Sequence, residues 1–340
     1  MTATLKDIAT KVGVHPSTVS RVLSGKYENF NVSQETRELI MNTAKEINYV
    51  PNETARSLRL RKTQIIGLII PDILNPLFAG VARSIGNICE KNDYNFIVCN
   101  TDEVQDKEIR YIEMLKSRGT DGLIIVPVQR EKAHIEKLKE ERYPFVLAIR
   151  HFGDIETDTV VTDNDGDVYK AVEYLIKLGH RRIAFVGGHS ESYAIRAREK
   201  GYKQALLDYN IRLDHDLVVG NGYTVESGYA AAKKIMNLPE RPTAFMISSN
   251  IIIVGVLEAI FEAGLSIPED ISIIGFADSC ATPYLSCPLT AISQPVGQIA
   301  KRAAELLFKR IDSPESEDYQ KIVLPSKFIV GKTTLKAFGS

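Results

Sequence analysis

Residues 16–21 read Pro-Ser-Thr-Val-Ser-Arg. Pro16, Ser17, Thr18, Ser20 and Arg21 bring short hydroxyls, a ring that fixes the backbone and one guanidinium. Small hydroxyls reach phosphate oxygens, and an arginine pairs with guanine through two parallel hydrogen bonds. Carried together on one outward helix face, these groups would bind DNA. A second group lies further on, where Leu58 stands between Arg56 and Arg59, with Arg61 and Lys62 following. A short basic helix with an exposed leucine can enter a minor groove and wedge a base step open. A linker helix of no function is the competing reading.

Three helices are needed to hold the first group outward. Leu5, Ile8, Ala9 and Val12 recur at i, i+3, i+4 and i+7, one face of a helix. Thr4 is a suitable N-cap and Gly13 a suitable left-handed terminator. Pro16 then stands in the first turn of a second helix, where its missing N–H is harmless. That helix sends Val19, Val22 and Leu23 inward and stops near Ser24-Gly25. A third, capped by Ser33, is expected to bury Leu39, Ile40, Ala44 and Ile47. Two short helices joined at a glycine make a helix-turn-helix; the alternative is a three-helix bundle with a solvated polar face. Pro51 and Asn52 can open a further helix, too short to stand alone.

The chain has 340 residues, of which 44% are hydrophobic and 25% charged, the composition of a soluble globular protein of two or three domains. Residues 1–62 carry ten Lys/Arg against six Asp/Glu, a basic head on an acidic remainder. No window approaches a membrane span, and the start has no apolar signal core, so a cytoplasmic location is expected. Cys89, Cys99, Cys280 and Cys287 lack metal-ligand spacing and read as reduced, half-buried thiols. No zinc pattern, phosphate loop or nucleophile elbow appears, and the six histidines are scattered. Neither an enzyme, a cofactor nor a metal site is expected.

After residue 62, strand and helix signals alternate. Apolar runs at 64–70, 96–98, 121–126, 145–148, 159–161, 182–186, 244–247 and 271–274 read as buried parallel strands, with helices at 77–92 and 103–118. This rhythm means parallel sheets flanked by helices. It is too long for one compact sheet, and the openings at Ile66 and Ile183 look alike. Two α/β lobes follow, with a cleft between the strand C-termini where such sheets take ligands.

The motifs in the head resemble those of the LacI/GalR family of bacterial regulators. They are Lys6-Asp7-Ile8-Ala9, Gly13-Val14, residues 17–25, Ser33 to Arg37, Tyr49 to Asn52 and Ala55 to Leu58, in family order. Matching stretches continue through the body, among them Ile70-Pro71-Asp72 with Asn75-Pro76, Asp121-Gly122, Val161 to Asn164, Leu178 to Ile183, Glu226 to Gly228 and Ile274 to Phe276. The resemblance implies an all-α helix-turn-helix head (1–50), a hinge helix and linker (51–62) and a two-lobed periplasmic-binding-protein-like body (63–340). The first lobe would be about 63–162 and 293–323, the second about 163–292 and 324–340. It implies that Pro16, Ser17 and Arg21 face the major groove. Thr4, Thr18, Ser20, Asn52 and Arg59 join them as DNA-contact candidates. The segment from Ala55 to Arg59 would fold on operator DNA, with Leu58 as the wedge. The implied partners are double-stranded operator DNA, a small effector and a second copy of the chain, as a homodimer or a larger oligomer. Two departures are His15 in the usual serine cap position and a longer loop over Lys26–Val32.

For the effector, the resemblance singles out Arg198, three residues before Gly201-Tyr202, and pocket walls at Leu77, Phe78 and Tyr223. A surface arginine is the alternative for Arg198. Where relatives carry Asn-Asp before a helix, this chain has Ser249-Asn250; where they carry an acid after Gly-Phe, it has Ala277, with Asp278 next. With two acids lost and Arg150 and Arg198 both expected near the cleft, the pocket turns positive. That favours an acidic effector, a sugar acid or sugar phosphate, over a neutral sugar. Control by a protein partner, or loss of small-molecule sensing, stays open.

Overall fold

In a computed structural model, residues 3–23, 32–49, 62–276, 285 and 287–337 are described. The chain divides into two compact units, Met1–Thr63 and Gln64–Ser340. The segment carrying Asn52, Ala55, Leu58 and Arg59 lies outside the described residues, as do Lys26–Asn31, Ala277, Asp278 and Cys280.

The head holds α1 (Leu5–Val12), α2 (Pro16–Leu23) and α3 (Gln34–Glu46). Thr4 closes a capping box with Asp7, and Gly13 ends α1 at φ 75°. Ile8, Ala9, Val19, Val22, Ile40 and Ala44 form the core, with Leu5, Val12, Leu23, Ile47 and Tyr49 packed around it. Leu39 is a correction to the expected core, being 50% exposed. The inward stripe of α3 runs through Ile40, Thr43 and Ala44, and a residue one step before Ile40 is turned about 100° away from it.

The larger unit contains two six-stranded sheets. The first takes β1 (Ile65–Ile70), β2 (Asn95–Asn100), β3 (Gly122–Ile125), β4 (Phe145–Ala148), β5 (Thr159–Thr162) and β11 (Lys321–Leu324), in the order β11-β5-β4-β3-β1-β2. The second takes β6 (Ile183–Val186), β7 (Val218–Val219), β8 (Ala244–Ile247), β9 (Ser272–Phe276), β10 (Thr290–Ser293) and β12 (Lys327–Ile329), in the order β12-β10-β9-β8-β6-β7. All pairings are parallel except β10 with β12. The central strands are apolar on both faces because helices cover both. In the first lobe, α4 (Pro76–Lys91) and α11 (Val296–Asp312) bury one face, α5 (Gln105–Ser117) and α6 (Ala133–Glu140) the other. In the second, α9 (Val225–Met236) and α10 (Asn250–Glu262) cover one face, α7 (Asn164–Lys177) and α8 (Tyr193–Asp208) the other. The chain crosses between sheets after β5, after β10 and between β11 and β12.

Both sheets repeat one winding. From β1 the chain goes to β2 on one side and then to β3 on the other; β6, β7 and β8 do the same. Each sheet therefore has a switch point where the strand order reverses, and loops diverge there to leave a crevice at the strand C-termini. Cys89 and Cys99 are fully buried, deeper than expected, and burial pushes the Cys89 thiol up to about 11.

The helix pair α9–α10 owes its close approach to two glycines. A Cβ on Gly255 would lie 1.9 Å from the Val225 carbonyl oxygen, and one on Gly228 2.3 Å from that of Ile252. These neighbours are backbone and cannot swing aside. Gly255→Ala is expected to destabilise the body by about 2–3 kcal/mol, as overpacking does. A lowered denaturant midpoint at unchanged slope would report it, and an unchanged midpoint would contradict it.

Candidate functional site

In the head, α2 presents Ser17 and Arg21 as its exposed residues, one turn apart, while Pro16, Thr18 and Ser20 are half-buried. His15 explains its own departure. Its Nδ1 accepts from the Ser17 backbone N–H at 3.3 Å and lies 2.8 Å from Ser17 Oγ, so the ring caps α2 as a serine would. The Ser17 hydroxyl is thereby held before any DNA arrives. Thr4 is exposed, but its hydroxyl donates to Asp7 Oδ2 at 2.8 Å. Its bonds hold the Asp7 carboxyl below the usual range. The face available to a groove thus centres on Ser17 and Arg21.

In the body, residues from both lobes converge on one cleft: Asp72, Asn75, Leu77, Phe78, Glu103, Arg150, Arg198, Tyr223, Asn250 and Gln294 all line it. Most follow a strand C-terminus, as the switch points require. Asp72 and Asn75 come after β1, Glu103 after β2, Arg150 after β4, Tyr223 after β7, and Asn250 after β8. Arg198 lies on the second turn of α8.

Arg150 is aimed by a strained turn. Its N–H donates to Ala148 O at 2.7 Å across Ile149, which takes φ 67°. That is a γ-turn of the rarer hand, costly for a β-branched residue. The guanidinium meets both oxygens of Glu103, at 2.8 and 2.7 Å, and lies over the rings of Tyr223 and Phe78. Burial opposes its charge, but Glu103 overrides this and holds the group above the ordinary arginine value. Arg150 is therefore neutralised, a correction to the expectation of two uncompensated arginines. The rings of Tyr223 and Phe78 serve this ion pair, besides walling the cleft.

Arg198 differs. It is 7% exposed, donates from Nε to Asn164 Oδ1 at 2.8 Å and from Nη1 to the Ser248 carbonyl, and stacks on Phe276 at 3.4 Å. Among the described residues no carboxylate bonds to it. Burial pulls it down to about 10, and the charge of Arg150 acts in the same direction. At neutral pH it remains a cation; among the described residues Asp167 supports its charge through space without bonding to it.

Leu77, Phe78, Arg150, Arg198, Tyr223 and Asn250, the effector-contact candidates of the sequence, all line this cleft. Asp278 lies outside the described residues. Glu103, Asp72 and Gln294 were missed. Asp72 had a signal, its place directly after a strand; Glu103 had none beyond a similar place. Among the described residues there is no cluster suited to a metal ion, and no helix is long and apolar enough to cross a membrane.

A helix-turn-helix head joined to a two-lobed body with a polar cleft between its lobes defines a DNA-binding transcriptional regulator with an effector-binding domain, not an enzyme. Residues 4–52 match the profile of bacterial regulatory proteins, lacI family, and residues 172–334 that of a periplasmic binding protein-like domain. The chain is 34% identical over 335 residues to catabolite control protein A of Priestia megaterium, covering 98% of this chain and 100% of that one. It is 36% identical over 323 residues to the ribose operon repressor of Haemophilus influenzae, covering 95% and 96%. The crystal structure of the lac repressor dimer bound to operator and an anti-inducer shares the fold, with a TM-score of 0.86 at 23% identity over 98% of this chain and 100% of that one. The chain belongs to the lacI family of bacterial regulatory proteins.

Proposed function

We propose that this protein is a cytoplasmic repressor. It binds near-palindromic operator DNA as a homodimer, and an acidic small molecule in the interlobe cleft alters its grip. The related lac repressor structure is a dimer on operator; two symmetric heads would each read one half-site through the face centred on Ser17 and Arg21. The hinge segment from Asn52 through Ala55 and Leu58 to Arg59 would add minor-groove contacts. The first lobe would comprise about 63–162 and 293–323, the second about 163–292 and 324–340.

The acidic effector is supported by one observation above the rest: Arg198 is a buried cation facing the cleft with no carboxylate bonded to it among the described residues. An uncompensated buried charge is costly, and an anion would relieve it. Asp72 and Glu103 on the opposite wall suit donors on the same ligand, such as sugar hydroxyls. A sugar acid or sugar phosphate satisfies both ends. A second reading, regulation without a small molecule, is favoured by the cleft's small free volume of about 70 Å³, below the ~150 Å³ of a cavity that admits benzene.

Differential scanning fluorimetry with neutral sugars, uronates and phosphosugars tests this. A ligand at a hundred times its Kd should raise the melting temperature by about 5 °C. Stabilisation by neutral sugars alone would remove the anion, and stabilisation by none would favour the second reading.

A further inference from the structure

Besides the stacking of Arg150 on Tyr223, the two lobes are joined across the cleft by uncharged side chains that satisfy one another with nothing between them. Asn75 caps α4 in the first lobe, and Asn250 opens α10 in the second. They exchange two amide hydrogen bonds: Asn250 Nδ2 donates to Asn75 Oδ1 at 2.8 Å, and Asn75 Nδ2 donates to Asn250 Oδ1 at 3.2 Å. Each amide is oriented by its own backbone. Leu77 N–H donates to Asn75 Oδ1 and Ile251 N–H to Asn250 Oδ1, both at 3.0 Å. A second bridge is buried elsewhere in the body, where Ser192 Oγ donates to Gln129 Oε1 at 2.8 Å. The Gln129 amide in turn donates to the His151 carbonyl, and the His151 ring meets Tyr193 edge-on at 4.5 Å.

The chemistry of the first bridge requires an amide on both sides. An aspartate at position 250 would set a second acceptor against Asn75 Oδ1 with no proton to share. Asn250, where the family resemblance leads one to expect an acid, is the residue type that completes a clasp. A hand that grips effector hydroxyls would not need it.

We infer that the Asn75–Asn250 pair, with Ser192–Gln129, holds the cleft shut in the ligand-free protein, so that an effector enters by working against the clasp. The inference rests on the cleft being the effector site. In this arrangement the open state is the minor one, and the apparent affinity of any ligand that needs it is reduced by its population. A regulator built so has a threshold set largely by neutral hydrogen bonds and by a cation–π contact, with no ion pair among the contacts described across the cleft. Its resting state then varies little with salt, since such bonds are not screened as ion pairs are.

Hydrogen exchange on the ligand-free, full-length protein tests this. Asn250→Ala removes both amide bonds of the first bridge and should raise exchange about tenfold at cleft segments, the value of two modest hydrogen bonds. The decisive segments are 127–131 and 189–196. Asn250 touches neither, so a rise there reports lobe separation, while β1 and β8 should stay protected. Asn75→Asp keeps the α4 cap but breaks the reciprocity, and should act in the same direction if Asn250→Ala fails to fold. Small-angle scattering should show expansion of both variants over the wild type. A rise confined to residues 250–254, no rise at all, or a wild type already open would overturn the clasp. No ligand enters the measurement, so failure of the anion reading leaves these expectations unchanged, and failure of the clasp leaves Arg198 as it is.

Discussion

Arg21→Ala is expected to erase the preference for operator while leaving weak, salt-sensitive binding to any duplex. Val19 and Val22 are buried on the opposite side of α2, and the helix is capped by His15, so truncating exposed Arg21 leaves the fold intact. What would be lost, on the proposed reading, is a base contact. A bidentate arginine–guanine pair discriminates by about 1–3 kcal/mol, and a dimer makes the contact twice, so specificity should fall by about a hundredfold or more. Phosphate contacts are kept, so nonspecific affinity and most of its salt dependence persist. Gel-shift competition between operator and unrelated duplex at fixed salt measures the ratio. A ratio equal to that of the wild type would refute the role given to Arg21, and circular dichroism would show whether the head still folds.

Local chemistry was legible in the sequence where a periodicity or a cap lies within a few residues. The head's three helices, the capping role of Thr4, the glycine stop and the apolar strands of the body all follow from spacing alone, and Leu39 was misplaced only because it adjoins Ile40. Pairings between distant residues were not legible. Glu103 meets Arg150 across 47 positions, and Asn75 meets Asn250 across 175. Nothing local to either residue announces its partner; only the doubled winding, which sets the C-termini of the central parallel strands beside one cleft, brings them together. The same winding changes the meaning of a charge count. Lost acids and kept arginines alone point to a more positive pocket, but Glu103 cancels one arginine and Asp72 adds an acid. Arg198 is left as the cleft guanidinium that no carboxylate bonds among the described residues. His15 shows the opposite situation, since a departure from family pattern is absorbed by the ring nitrogen that replaces the usual hydroxyl.

Arg198→Met should abolish the response to an acidic effector while sparing the free protein. Methionine fills similar space against Phe276 without a charge. It forfeits the bonds to Asn164 and the Ser248 carbonyl, but also removes a buried cation that no carboxylate bonds among the described residues, and these effects largely offset. The melting temperature of the ligand-free protein should therefore move little. Arg150→Met supplies the contrast. It strands Glu103 beside the cleft and should cost about 3 kcal/mol, as breaking a buried pair does. For the ligand, losing a desolvated charge partner costs about 2–5 kcal/mol, so affinity for a uronate or phosphosugar should drop at least about thirtyfold. The pH dependence has the same origin. Burial has brought the Arg198 guanidinium from 12.5 down to about 10. Anion binding should be level through neutral pH and fall as pH rises through about 10, where the folded state releases its proton before the unfolded chain does. Titration calorimetry on the two variants separates the roles. If Arg198→Met still binds the anion as the wild type does, the counter-ion lies elsewhere in the cleft; if Arg198→Met is instead the variant that loses stability, the guanidinium is a structural strut, and its two hydrogen bonds outweigh the charge it carries.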